Sequence, residues 1–450
     1  MIRTDLSAVI ENSWCIGCGA CAVADSTVEL SLHPDKLIYE PTSVGGPAAA
    51  SVCPAVEVDF AGLQAKIFPD AEPGPYGVVD SVLLAQSTDH SRNLRASSGG
   101  LIKEMLHALL ARDDIDGIIA LDQVAGLDFQ PRLITDANDI DEMPGSIYHN
   151  LAQPRALEIL AETEGRFVLV AIPCQLEGIY RYIHAQRPEL ADRIAVTIGL
   201  LCGWQYSHHS IRAICEYKGI DPDAIVDISY RGGGPVGKLR IVTSDGKVTT
   251  TSRRVDIGYQ VAFDRHFNTP RCHLCINHSN FLADIVVGDA WLPSTLTTKT
   301  GISLVICRKP ETRALVDQLQ REDRVVYTEV TTEEIRESQT DRVVFGDFAY
   351  AYSDYLTQQG VEVPVMIGPN RPRATLRPRK EVQHFHSELM RKLELQRAGR
   401  YRYLWVRKVT VEFRRFAERY VKWFFVRVLK VKSLTGRRKE ISKEQVSVFK

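Results

Sequence analysis

A chain of 450 residues, 44% hydrophobic and 25% charged, is long enough for two or three domains built around at least one sizeable core. No apolar run follows a basic start, and no window nears the roughly 20 apolar residues of a spanning helix, so neither a secretory signal nor a membrane anchor is expected and a cytoplasmic protein is. The net charge of −1 conceals an asymmetry: residues 371–450 carry 24 Lys and Arg against 7 Glu and no Asp, a balance of +17 on a body of −18, which suits an anionic partner for the tail.

The first 70 residues are short, Pro/Gly-punctuated and rich in cysteine, and read as a separate N-terminal segment. A Pro/Gly-rich link from Pro69 to Gly77 leads to the apolar run Val78–Gln86, which reads as a buried strand. Ser97-Ser98-Gly99-Gly100 then opens an amphipathic helix with Leu101, Met105, Leu106, Leu109 and Leu110 on one face. Strands are expected at Ile115–Leu121, Phe167–Ile172 and Ile194–Leu201, and helices at Gln175–Gln186 and His208–Lys218. A β-rich section follows from Ile225 to Gln260. The alternation resumes with Asp284–Val287, Ile302–Cys307, a helix near Thr312–Gln320 and the strand Arg324–Glu329. This rhythm predicts an α/β (α+β overall) fold: an N-terminal segment over 1–70, a mixed, mostly parallel α/β domain over 75–345, a linker over 346–380 and a basic helical extension over 381–450. Tyr401–Lys432 interleaves large apolar residues, among them Leu404, Trp405, Phe416, Trp423 and Phe424, with Arg and Lys. It reads as a helix for an anionic membrane surface or one packed on the body, so the protein is expected in the cytoplasm, with peripheral attachment at the inner face of the membrane open to it.

Ten cysteines in a reducing compartment do not form a disulfide framework, and their clustering favours metal. Cys15, Cys18 and Cys21 stand in C-x2-C-x2-C, and Cys53-Pro54 completes the set. A [4Fe–4S] cubane needs four thiolates converging on its iron corners, and two-residue spacings let one tight loop offer three of them. Asp25 occupies the position where a two-cluster ferredoxin would place a further cysteine, so this ferredoxin-like segment is expected to hold one cluster; zinc is the other metal such spacing suits. Cys174 and Cys202 each follow a predicted strand, on the rim where open α/β sheets bind ligands. With the Cys272-His-Leu-Cys275 pair they make a second set of four, for a second cluster, for zinc on the pair, or for ordinary burial. Cys215 and Cys307 read as core residues.

The order of these blocks, with Ser97–Gly100, Ile172-Pro-Cys-Gln175, Gly199-Leu-Leu-Cys-Gly203, Tyr230-Arg-Gly-Gly233 and Gly288-Asp-Ala-Trp291, resembles the coenzyme F-420 (deazaflavin) hydrogenase/dehydrogenase beta-subunit family over about residues 10–340. Similar proteins include 7-hydroxymethyl chlorophyll a reductase. The resemblance implies an iron–sulfur flavoprotein oxidoreductase with FAD, moving electrons between ferredoxin or a deazaflavin coenzyme and a small-molecule substrate. The alternative is a non-catalytic electron-transfer subunit of a larger complex. Ser97, Ser98, Gly99 and Gly100 at a helix start suit the flavin pyrophosphate, as Arg231 suits a phosphate. Gly288, Asp289 and Trp291 offer a carboxylate and an aromatic face to the ring system. A packing or turn role is open for each of these residues. No nickel-binding motif and no G-x-G-x-x-G fingerprint is found, and no nucleic-acid partner is expected. His184, His208 and His209 read as solvated on polar helix faces, and no general acid can be named.

Overall fold

The computed structural model describes residues 4–234, 236–367, 379–406, 409, 410 and 413. Its main sheet has eight strands in the spatial order Val325–Val330, Ser81–Ser87, Ser303–Cys307, Ile285–Asp289, Ile194–Leu200, Phe167–Ala171, Gly117–Ala125 and Asp128–Ile134. The four from Ile285–Asp289 to Gly117–Ala125 run parallel, and every pairing outside them is antiparallel. The expected parallel arrangement therefore holds at the centre of a mixed sheet, not at its flanks. At one flank the reason is local: two residues, Gly126 and Leu127, join consecutive strands, and only an antiparallel neighbour can follow so short a turn. Ser303–Cys307 is buried at every position, as a strand covered on both faces must be.

Helices cover both faces. Leu101–Leu110 and Pro310–Arg321 pack on one, with Met105, Leu109, Val316 and Leu319 buried against it. Pro154–Glu162 and Pro173–Gln186 pack on the other through Leu157, Leu160, Leu176 and Ile183. The helix expected at Gln175 starts at Pro173, because proline at the first turn needs no amide partner and the Gln175 side chain accepts from Ile172 N at 3.1 Å. The strand expected from Val78 starts at Ser81, since the Val78 carbonyl is taken by the buried Arg308 guanidinium. The β-rich section yields three antiparallel strands, Ile225–Ser229, Lys238–Thr243 and Val248–Ser252. It ends before Gln260, because Asp256 accepts from Tyr259 N at 2.9 Å and caps a short helix, Ile257–Ala262.

Residues 346–367 are not a bare linker. The helix Thr340–Gln358 carries Phe348, Tyr352 and Leu356 into a core shared with Trp14, Cys15, Cys21 and Cys53. Val365–Ile367 pairs in parallel with Glu57–Asp59. The helix Arg379–Arg397 adds Val382, Phe385 and Leu389 to the same core. The N-terminal segment thus folds on the C-terminal one, a long-range apolar match that periodicity within either stretch does not report. Of the tail, Tyr401 and Leu404 are buried on the body and Trp405 packs beside Tyr217; most of the proposed surface helix lies outside the described residues.

His208 and His209 are buried, not solvated. His209 Nε2 faces Asp35 O at 2.8 Å and Nδ1 faces the Tyr401 hydroxyl at 2.6 Å, which joins the C-terminal segment to the body. Burial pushes His209 down to about 4, so the fold holds it neutral. Its contribution is complete above the ordinary value near 6.5 and is lost as pH falls toward 4, where the unfolded chain takes up the proton first. Thermal unfolding followed from pH 7 to 4 should show a stability slope of up to about 1.4 kcal/mol per pH unit from this group, and His209→Gln should flatten it. An unchanged slope in the variant rejects the assignment.

Candidate functional site

The parallel strands place their carboxyl ends on one rim, and the loops there carry most of the candidate residues. Cys174 lies at the start of the helix after Phe167–Ala171, Cys202 just past Ile194–Leu200, and Trp291 just past Ile285–Asp289.

Cys15, Cys18, Cys21 and Cys53 are all buried and lie within electrostatic reach of one another. Gly17 and Gly19 adopt left-handed backbone in the loop between them. A Cβ at Gly17 would sit 1.8 Å from Leu151 O, and one at Gly19 2.4 Å from Pro154 Cα, so only glycine lets this loop seat. Amides face every sulfur: Gly17 N lies 3.4 Å from Cys15 Sγ, Ala20 and Ala22 donate toward Cys18 and Cys21, and Ala55 and Val56 toward Cys53. Burial raises each thiol, Cys18 to about 12. Four buried thiols of this kind ionise together only against strong positive charge, which bound metal supplies. Asp25 is a loop brace, accepting from Thr27 N and Gly46 N.

The second set also converges. The charged neighbours of Cys174 are, in falling order, Cys202, Cys272 and Cys275, followed by Cys18 of the first set. Gln205 N donates to Cys272 Sγ at 3.3 Å, and Thr269 Oγ1 lies 3.1 Å away. Burial raises Cys275 to about 11 despite the Arg271 guanidinium beside it. Between the two sets stands Glu177, 1% exposed. It lies near Cys18, Cys53 and Cys275, and burial pushes it up to about 8 against the pull of Arg271 and Arg181.

Among the described residues, no three His, Cys, Asp or Glu side chains are grouped to hold a single metal ion. A cubane puts each thiolate on a different iron, so its ligands stand further apart than those of a mononuclear centre. The donor chemistry fits that larger group: soft sulfurs, amides aimed at them, and burial.

Ser97, Ser98, Arg231, Asp289 and Trp291 line one pocket with Thr295 and Gly301. Arg231 donates to Asp289 through both terminal nitrogens at 2.7 and 2.9 Å, donates to the Tyr148 hydroxyl at 3.3 Å, and lies over the Trp291 ring at 5.6 Å. Its Nε is buried without a partner. Gly99, Gly100 and Gly288 stand behind the lining. Gly99 N donates to Ser303 Oγ at 2.9 Å, and Gly100 caps the helix at φ +77°. A Cβ at Gly288 would meet Leu201 at 2.4 Å, so the pocket wall packs directly on the residue before Cys202. The helix start expected to face a pyrophosphate already holds the buried Glu104, paired with Arg92 at 2.8 Å and Arg324 at 3.0 Å. Sequence reasoning missed Tyr148, Glu177, Arg181 and Arg271. Of these, only Arg271, next to Cys272, carried a visible signal.

A cysteine-lined rim on a mixed α/β sheet, with a charged aromatic pocket beside it, defines an oxidoreductase scaffold. Two profiles of the coenzyme F-420 hydrogenase/dehydrogenase beta subunit match, that of its N-terminal part over residues 82–158 and that of its C-terminal part over residues 165–333. The chain belongs to the coenzyme F-420 hydrogenase/dehydrogenase beta-subunit family, whose members are oxidoreductase electron-transfer subunits. It is 24% identical over 324 residues to the F-type subunit of the F(420)H(2) dehydrogenase of Methanosarcina mazei, covering 66% of this chain and 82% of that one. It is also 24% identical over 240 residues to the beta subunit of the coenzyme F-420 hydrogenase of Methanococcus voltae, covering 50% of this chain and 80% of that one. A chain of the F-420-reducing [NiFe] hydrogenase complex from Methanosarcina barkeri shares the fold, with a TM-score of 0.50 at 18% identity over 65% of this chain and 98% of that one. No helix among the described residues is long and apolar enough to cross a membrane.

Proposed function

We propose that this chain is an iron–sulfur flavoprotein oxidoreductase with a [4Fe–4S] cluster on Cys15, Cys18, Cys21 and Cys53, a second on Cys174, Cys202, Cys272 and Cys275, and FAD in the pocket of Ser97, Ser98, Arg231, Asp289 and Trp291. The observation that carries this reading is the order of the parts. Cys174 is a neighbour of Cys18 on one side and of Cys202 on the other, and Leu201 abuts Gly288 at the pocket wall. When bound, the clusters supply one-electron transfer and the flavin couples it to two-electron chemistry. The chain's own residues bury the thiolates, aim amides at them, and hold a neutralised Arg231–Asp289 pair at the pocket.

The electron partner is a deazaflavin coenzyme or ferredoxin, against a small unsaturated or hydroxylated substrate. The relatives named as hydrogenase subunits favour a second reading, a subunit whose partner holds the substrate site. Anaerobic turnover of the isolated chain decides. Reduction of a deazaflavin, or of a dye by reduced ferredoxin, supports a self-sufficient reductase; FAD binding without turnover supports the subunit reading; absence of FAD and iron rejects both.

The tail from 371 to 450, at +17, is the part suited to an anionic membrane. Flotation should show stronger binding to vesicles with anionic lipid than to neutral ones, weakened by salt. Equal binding, or none, sinks the membrane role.

A further inference from the structure

We infer that the helix Pro173–Gln186 is a bracket that fixes the two cysteine sets against each other, with Gly178 and Arg181 as its positioning residues. This rests on the reading of both sets as cluster ligands. The helix carries Cys174 in its first turn. One turn on, a Cβ at Gly178 would lie 2.7 Å from Cys18 Sγ and 3.1 Å from Cys18 Cβ, closer than real contacts allow. Glycine inside a helix costs about 1 kcal/mol relative to alanine, so its place here calls for a local cause, and the seat of Cys18 supplies one. Cys18 and Ala20 pack into the same core as Leu176 and Ile179 of the helix.

A turn further, Arg181 holds the other end of the N-terminal set. Its NH2 donates to Ser51 O at 3.0 Å and to Glu57 Oε1 at 3.2 Å, bracketing Cys53 from both sides. Its side chain is only 10% exposed, and its charge lies near enough to favour the Cys53 thiolate. Gln186 Nε2 then donates to Ala48 O at 3.2 Å. Three contacts along one face of a single rigid helix thus fix the first set, while the same helix begins with a ligand of the second. Through-helix registration of this kind sets the separation of the two clusters more tightly than two independent loops can.

The test uses the anaerobically reconstituted full chain, with iron analysis and low-temperature electron paramagnetic resonance after dithionite reduction. Wild type should hold about eight irons, following from two four-iron ligand sets, with a spectrum broadened by interaction between two reduced clusters. Gly178→Ala should retain the irons and lose at least about half of the broadening, the added methyl forcing Cys18 away from the helix. Gly178→Val should lose the N-terminal cluster alone and leave one sharp signal. Arg181→Met should weaken the broadening and Arg181→Lys restore part of it. Unchanged broadening in Gly178→Ala overturns the bracket, and so does an eight-iron wild type whose spectrum is the sum of two isolated signals. A wild type with only about four irons overturns the two-cluster reading and the bracket with it.

Discussion

Changing Cys272 and Cys275 together to Ser is expected to halve the iron of the anaerobic protein, from about eight to about four per chain, with labile sulfide falling in step. Both thiols belong to the set around Cys174, and each is faced by an amide, of Gln205 and Asn277 respectively. Serine keeps the volume but gives a hard, high-pKa oxygen that holds iron poorly. Flavin should stay bound, because the pocket lining from Ser97 to Ile302 includes neither cysteine. The competing accounts give other numbers: buried thiols predict four irons before and after, and a zinc site predicts four irons with one zinc lost in the variant. A wild type with four irons and an unchanged variant would remove these residues from any cluster.

The sequence made the central sheet legible because its strands are continuous apolar runs, and the burial of Ser303–Cys307 at every position is what such a run encodes. The cysteine spacing made both sets legible as candidates, because C-x2-C places two thiolates on one turn whatever surrounds it. Contacts that only tertiary structure creates were not legible. His208 and His209 sit on a helix face that is polar in sequence, yet Asn150, Asp35 and Tyr401 supply buried partners from three distant segments. Residues 346–367 read as a linker because their partner surface, around Trp14 and Cys53, lies some 300 positions earlier in the chain. Glu177 was invisible for the same reason: a glutamate in an amphipathic helix reads as solvated until two cysteine loops and two arginines close over it.

The pocket can be tested through the sign of an electrostatic effect. Arg231 and Asp289 form a paired, largely buried couple whose charges cancel, with Trp291 against the guanidinium. If FAD binds here, removing either charge exposes the flavin to the other. Arg231→Met leaves the Asp289 carboxylate, which disfavours the anionic reduced flavin and lowers its potential. Asp289→Asn leaves the guanidinium and raises it. A unit charge at contact range in a partly buried site is worth roughly 2–4 kcal/mol at an effective dielectric near 20, and about 1.4 kcal/mol corresponds to 30 mV for a two-electron couple. The two variants should therefore move in opposite directions by on the order of 30 mV or more each, read by anaerobic spectroelectrochemistry of the flavin band. Arg231→Met should also weaken FAD about tenfold or more through the lost charge-assisted donor. Loss of pocket integrity alone would shift both variants the same way or not at all, and that result would move the flavin elsewhere on the rim.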